Sequence, residues 1–432
     1  MYNKIFQKII FPIAELASGT TIQKKLKFLL KSQYWSRKKI EEYQNKRLKE
    51  LMEHAYTNVP YYTRLFDKLG LKPSDIKTKK DLKKLPVLTK EIIRDNYNDL
   101  LVADYKKRSY GSKTSGSTGT PIEFRLTKED FSWFWAAHLR AWQWAGYDLG
   151  DKHIRVIQRP RDKLFKNIQD RLMRCRFFSP GSMDETKINE FIQKINEFDP
   201  KMIYVYASTA SVVGEYLLTK RMSLNIPITI TTADNLTPKN KKIIEMAFNT
   251  KVYDDYGCGG EGLKVASQCA KGHYHVTDES MILEYMKNEM TITSLNNYAM
   301  PLIRYQPGDI VTPSSGMCKC GRKLSMIKSV DGRSSDYILT YSGEKLFAQF
   351  FGRNLMYHIP TINQYKIIQK KIDEIEIIMV VDKKHNRKDA ENKIAEYIST
   401  HTTVKFRIFF KYVDSIYPDK NGKIRIIENR IK

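Results

Sequence analysis

Between residues 150 and 260, short apolar strand patterns alternate with helical ones, and this alternation constrains the fold more than any other feature. HIRVIQ (153–158), MIYVYA (202–207), PITITT (227–232) and KVYDDYG (251–257) have strand length and strand composition. INEFIQKINEF (188–198), ASVVGEYLLTK (210–220) and PKNKKIIEMAF (238–248) lie between them with helical spacing. Such an order predicts an α/β fold with a mostly parallel sheet.

The flanks read differently. Residues 1–105 are helical in pattern, with turn signals at Pro60, Pro73 and Pro86. A Trp-rich helix, SWFWAAHLRAWQWAG, ends at Gly146, and residues 262–330 form a strand-rich subregion. After DGR (331–333) the text changes to strand, strand, helix, strand: INQYKIIQ, EIEIIMVV, RKDAENKIAEYIST and VKFRIFFKYV. That is a compact α+β unit. We therefore expect a large N-terminal domain, 1–332, with mixed and parallel sheets, and a small mobile C-terminal domain, 333–432.

Composition bounds the class. With 432 residues, 41% of them hydrophobic, the chain can bury more than one core. Its apolar runs are strand length, far below a membrane span. Five cysteines, an odd number, argue against a disulfide scaffold and for a reducing, cytoplasmic setting. The net charge of +26 is spread along the chain with no nucleic-acid module, so no specific nucleic-acid partner is expected. The first fifty residues stand out, with twelve Lys and Arg against four Glu. There IQKKLKFLLKSQYW sets Leu26, Leu29, Leu30 and Tyr34 at helical spacing beside lysines. Two readings stay open: docking on the protein with a solvated basic face, or peripheral contact with the anionic inner face of a membrane.

Residues 111–121, GSKTSGSTGTP, run straight into the strand pattern IEFRLT. A loop so rich in backbone N–H groups and hydroxyls suits a polyphosphate. A Walker A loop would need Lys directly after its second glycine, but Gly116 is followed by Ser117, so a P-loop ATPase is disfavoured.

TSGSTGTP (114–121) resembles the phosphate loop of the adenylate-forming enzymes, the acyl- and aryl-CoA synthetase superfamily. The later motifs follow in that superfamily's order: TTADNL (231–236), VYDDYGCGGEG (252–262), IRYQPGDI (303–310), DGRSSD (331–336) and NGKIR (421–425). HAYTNVPYYTRLF, DLKKLPVLTKEIIR and CKCGR resemble the phenylacetate–CoA ligase-like branch, and within it the capsular-polysaccharide-locus members. The resemblance implies ATP-dependent activation of a carboxylic acid to an acyl-adenylate, with transfer to coenzyme A or another thiol. Nucleotidyl transfer to a cofactor hydroxyl, and a catalytically degenerate nucleotide binder, are the rival readings.

Roles follow from the resemblance. Thr114, Ser115, Gly116, Ser117, Thr118 and Gly119 would hold the β- and γ-phosphates of ATP, and Asp309 the ribose hydroxyls. Tyr256 would pack on adenine, with Asp234 at its edge, while Arg304 braces the segment and Arg333 reaches the nucleotide. Lys423 would be the catalytic lysine of the C-terminal domain. Glu261 is the carboxylate offered to Mg2+, although the family's acid comes four residues after the tyrosine and Glu261 comes five after. The acid's pocket is expected between the Trp-rich helix and residues 204–208.

Three thiols and an imidazole make a closed tetrahedral zinc site. Cys269 with the following histidines, and Cys318 with Cys320, resemble the cysteine motifs of related ligases. The implied ligands of a structural Zn2+ are Cys269, His275, Cys318 and Cys320, with Cys258 as a substitute.

Overall fold

The computed structural model of the protein describes residues 2–113, 122–157, 170–179, 183, 185–286, 289–333, 337–341, 345–347, 351, 356, 359, 361–381, 386–402, 405–417 and 425–431. Two strands, β1 (Ser109–Lys113) and β2 (Glu123–Thr127), form an antiparallel hairpin with Lys113 opposite Glu123. The Ser/Thr/Gly loop joins them.

The central sheet uses β3 (His153–Val156), β4 (Cys175–Phe178), β5 (Met202–Tyr206), β6 (Ile228–Thr232) and β7 (Lys251–Cys258), paired in parallel in the order β4-β3-β5-β6-β7. Past β7 the same sheet turns antiparallel. It continues through β8 (Leu263–Gln268), β9 (Tyr274–Val276), β10 (Met281–Met286), β11 (Glu289–Ser294), β12 (Asp309–Ser314) and β13 (Met326–Arg333). The expected parallel sheet and the expected strand-rich subregion are thus one eleven-stranded surface.

The parallel strands are buried on both faces, which is why they read as apolar runs. In β5, Ile203 and Val205 pack with Phe191, Val213 and Ile244 of the crossover helices Glu185–Phe198, Ala207–Thr219 and Pro238–Ala247. Met202 points the other way, into a core with Trp133 and Trp142 of the helix Lys128–Trp144 and with Phe6, Leu26 and Leu29 from the N-terminus. The two-residue period of a strand divides one segment between two cores. The Trp-rich helix starts from a capping box in which Thr127 and Asp130 exchange hydrogen bonds.

The helix Ile22–Ser32 docks through Ile22, Leu26 and Leu29, so protein packing accounts for its apolar face. A buried ion pair locks it in place: Arg140 Nη1 lies 2.7 Å from Glu279 Oε1, which also accepts from Ser32 Oγ at 2.5 Å.

Beyond β13 come the short strands β14 (Tyr337–Leu339) and β15 (Lys345–Phe347). A four-stranded sheet follows, made of β16 (Ile362–Lys371), β17 (Glu374–Val381), β18 (Arg407–Tyr412) and β19 (Ile427–Asn429), with the helix Arg387–His401. Ile367, Ile377, Ile394 and Ile398 give this unit its own core. It touches the large domain where Lys239 Nζ donates to Ile362 O at 2.6 Å and to Asn363 Oδ1 at 2.7 Å. Nearby, Gln364 Nε2 donates to Glu215 Oε2 at 2.8 Å.

Candidate nucleotide site and metal cluster

Ligands of α/β sheets collect beyond the carboxyl ends of the parallel strands, and the motif residues gather there. Ser208 follows β5 and Asp234 follows β6; Asp234 Oδ2 accepts from Ser208 N at 3.2 Å and from Ser208 Oγ at 2.5 Å. On β7, Tyr256 donates its hydroxyl to Asp309 Oδ2 at 2.6 Å, joining β7 to the start of β12. Burial, and then the charge of Asp309, push the Tyr256 hydroxyl well above its ordinary range, so it stays a proton donor.

Arg304 lies beside this pair in sequence but turns away. Its Nε donates to Glu284 Oε2 at 3.1 Å and its Nη1 to Leu85 O, with the backbone at φ 53°. The side chain is buried and ties the segment to the sheet, the bracing role expected of it. The β12–β13 register sets the backbone of Arg333 opposite Asp309. Thr114, Ser115, Gly116, Ser117, Thr118, Gly119 and Lys423, together with the side chain of Arg333, lie outside the described residues.

Glu261 is buried, and Tyr305 Oη donates to its Oε1 at 2.7 Å. Burial raises its carboxyl above the ordinary range, with the Tyr305 hydrogen bond and the charge of Lys90 opposing. The β7–β8 register shifts between Tyr256 and Gly257, and the turn closes with Gly262 N donating to Gly259 O at 3.2 Å. Gly262 has φ 69°, and a Cβ there would meet Leu126 Cδ1 at 2.9 Å, so the turn needs glycine to press against β2. Phe124 of β2 meets the Tyr305 ring edge-on at 5.7 Å. The base of the Ser/Thr/Gly loop therefore rests on the residue that holds Glu261. Glu261 also lines a cavity of about 20 Å³ with Asp130, Lys264 and Asn296, room for about one water.

Tyr305 and Lys90 are the neighbours that sequence reading missed, and Ser208, expected only in the acid-pocket region, instead bonds to Asp234. Lys90 Nζ donates to Pro307 O at 2.6 Å, two residues before Asp309. Tyr305 stands within the quoted IRYQPGDI, so its parity against Arg304 was the available signal. Nothing local marks Lys90, which arrives from a distant element.

The expected acid pocket region is aromatic and polar together. The His138 ring lies 4.5 Å from Phe134 and 5.6 Å from Tyr204, while Arg155 stacks over Trp135 at 4.4 Å. Burial holds His138 down at about 4, hence neutral. Lys264 Nζ pairs with Asp255 Oδ2 at 2.6 Å beneath it.

Cys269 just after β8, His275 on β9, and Cys318 and Cys320 between β12 and β13 bring one ligand atom each within 4.8 Å of one another. Cys269 Sγ and Cys318 Sγ are 3.6 Å apart, and Cys320 Sγ is 3.2 Å from His275 Nε2. Zinc–sulfur bonds of about 2.3 Å in a tetrahedron need sulfurs roughly 3.8 Å apart, so this donor set fits that ion. Cys258 is elsewhere: its Sγ lies 3.9 Å from Asp309 Oδ2, which removes it from the metal cluster.

The chain superposes on the crystal structure of 2-hydroxyisobutyryl-CoA ligase in the postadenylation state with R3-HIB-AMP, at a TM-score of 0.75 and 16% identity, over 92% of this chain and 91% of that one. The fold is that of the adenylate-forming CoA ligases. Residues 339–430 match the CapK C-terminal domain family. Over 406 residues the chain is 23% identical to Protein CapK of Staphylococcus aureus, covering 90% of this chain and 89% of the relative. It is 27% identical to the phenylacetate-coenzyme A ligase of Escherichia coli over 327 residues, 69% of this chain and 72% of the relative. In sequence the chain is similar to phenylacetate–CoA ligases and to Protein CapK, and in fold to a CoA ligase.

Proposed function

We propose that the chain is an AMP-forming acid–thiol ligase. A carboxylate oxygen of the acid attacks the α-phosphorus of ATP, the bond to the bridging oxygen of the β-phosphate breaks, and pyrophosphate leaves. A thiol sulfur, of coenzyme A or another carrier, then attacks the acyl carbonyl and AMP departs. The observation that carries this reading is the Tyr256–Asp309 pair at the strand ends, 2.6 Å apart and next to Glu261.

In this reading Asp309 accepts both ribose hydroxyls, since a carboxylate has two acceptor oxygens. Tyr256 holds Asp309 in place and offers its ring to adenine, with Asp234 at the edge. Residues 114–119 wrap the β- and γ-phosphates, and Arg333 reaches the nucleotide from opposite Asp309. Lys423 stabilises the charge that grows around the α-phosphorus. Mg2+ would supply neutralisation of the triphosphate when bound; Glu261, whose carboxylate lines a cavity together with Asp130 and Asn296, would offer it oxygen, the donor a hard cation prefers. The acid lies between the helix Lys128–Trp144 and β5. Zn2+ held by Cys269, His275, Cys318 and Cys320 leaves no open position and is structural. A place for the activated acid in polysaccharide biosynthesis rests on the motif resemblance to the capsular-polysaccharide-locus members.

One observation favours the degenerate reading: burial raises the Glu261 carboxyl and Tyr305 occupies one of its oxygens. Pyrophosphate release across a panel of carboxylic acids, with and without coenzyme A, separates the readings. Release that depends on an acid supports the ligase. Release without any acid means nucleotidyl transfer, and ATP binding without release means a nucleotide binder.

A further inference from the structure

The N-terminal helix runs without a break through Tyr2–Ile5, a π-turn at Phe6–Ile10 and Phe11–Ser18, ending at Gly19 in the left-handed conformation with φ 65°. One side is fixed to the large domain. Phe6 and Phe11 enter its core, Asn3 Nδ2 donates to Asp151 Oδ1 at 2.7 Å, and Gln7 Nε2 donates to Asp148 Oδ1 at 2.8 Å. Gly150 permits this approach: its φ is 102°, and a Cβ there would stand 3.0 Å from Asn3 Cα. The helix is therefore held by the protein itself.

Its other side is apolar and open. Ile5, Ile9, Ile13 and Leu16 are 37%, 54%, 62% and 86% exposed. Their spacing of four, four and three residues sets them in one stripe along the helix. No other described helix carries more than one exposed large apolar side chain. Exposed Lys4 and Lys8 directly precede Ile5 and Ile9, and Lys24, Lys27 and Lys31 are exposed on the next helix of the same hairpin. Glu15 is the single acidic residue of the N-terminal helix, and it is engaged, accepting from Gln23 N at 3.0 Å.

We propose that this stripe is a peripheral docking surface for an anionic lipid bilayer. A docked helix needs no second apolar face to fold, so the stripe requires another partner. Lysines bordering an isoleucine stripe match a surface with an apolar interior beneath anionic headgroups. A second copy of the chain, carrying +26, would instead bring like charges together. The helix would lie in the headgroup layer, with the catalytic domain on the aqueous side.

Sedimentation of the full chain with vesicles tests this. Vesicles of phosphatidylcholine with 30–40% phosphatidylglycerol, roughly the charge density of an anionic leaflet, should carry the protein down, and pure phosphatidylcholine vesicles should do so at least tenfold less well. The triple variant Ile9→Asn, Ile13→Asn, Leu16→Asn should lose binding at least tenfold while keeping its melting temperature. The pair Lys4→Gln, Lys8→Gln should weaken binding several-fold and make it less salt-sensitive. Absence of binding to the anionic vesicles would overturn the proposal, as would binding unchanged in the triple variant. A dimer that the triple variant dissociates would also overturn it, assigning the stripe to a second copy of the chain.

Discussion

Tyr256 and Asp309, 53 positions apart in the chain, meet at 2.6 Å where β7 and the start of β12 come together. The hydroxyl supplies one directed donor to the carboxylate that the proposed function assigns to the ribose. Asp309→Ala removes both ribose acceptors and the Tyr256 contact. ATP binding should weaken by about 2–4 kcal/mol, treating these as charge-assisted bonds. Calorimetry on the folded variant measures this, and an unchanged affinity would take Asp309 out of the site.

The thiol–imidazole cluster predicts about one zinc per purified chain by elemental analysis. Cys318→Ser should lose the metal and thermal stability together, while Cys258→Ser should keep it. Metal-free protein of full stability would return these cysteines to ordinary buried thiols.

Adenylation draws a carboxylate and a triphosphate together, so a lysine delivered by the C-terminal domain acts chiefly in the transition state. Lys423→Ala should slow adenylate formation by roughly 10²–10³, the scale of one preorganised electrostatic group. ATP affinity should barely change, and thioester formation from supplied acyl-adenylate should survive. Equal loss of both half-reactions would contradict the role.

Arg140 and Glu279 are both about 1% exposed, with 2.7 Å between them. Arg140→Met leaves Glu279 charged and uncompensated, which should destabilise the large domain by about 3–5 kcal/mol. The double variant Arg140→Met, Glu279→Leu should recover most of that in urea melts. No recovery would mean that packing, and not charge, sets the cost.

Glu215 meets Gln364 across the domain contact, and burial pushes its carboxyl up to about 7. A raised folded pKa makes its stabilisation complete below the unfolded value of about 4.3 and lost as pH rises through about 7. Wild type should therefore lose on the order of 1–3 kcal/mol between about pH 4.5 and 7.5 relative to Glu215→Gln. Parallel pH profiles for the two proteins would show that Glu215 does not titrate in that window.

Much of this was legible from residues alone. Strands β5, β6 and β7 and the helices between them follow from periodicity, because burial of a face imposes a repeat on neighbours two, three or four positions apart. The four candidate metal ligands were implied by the resemblance of CAKGHYH and CKCGR to the cysteine motifs of related ligases, and the fold brings their ligand atoms within 4.8 Å of one another. The resemblance supplied the order of the nucleotide motifs.

Tertiary structure decided what meets what. Tyr305 taking Glu261, Ser208 taking Asp234, Lys90 reaching Pro307, and Arg333 lying opposite Asp309 depend on strand order and register. No local repeat encodes contacts between elements so far apart in the chain. The N-terminal helices show the same division. Their composition left docking and membrane contact both open, and the fold used one apolar face for packing on the protein while leaving Ile5, Ile9, Ile13 and Leu16 outside. A hydrophobic pattern determines that a face is to be buried; only the packed structure determines against what.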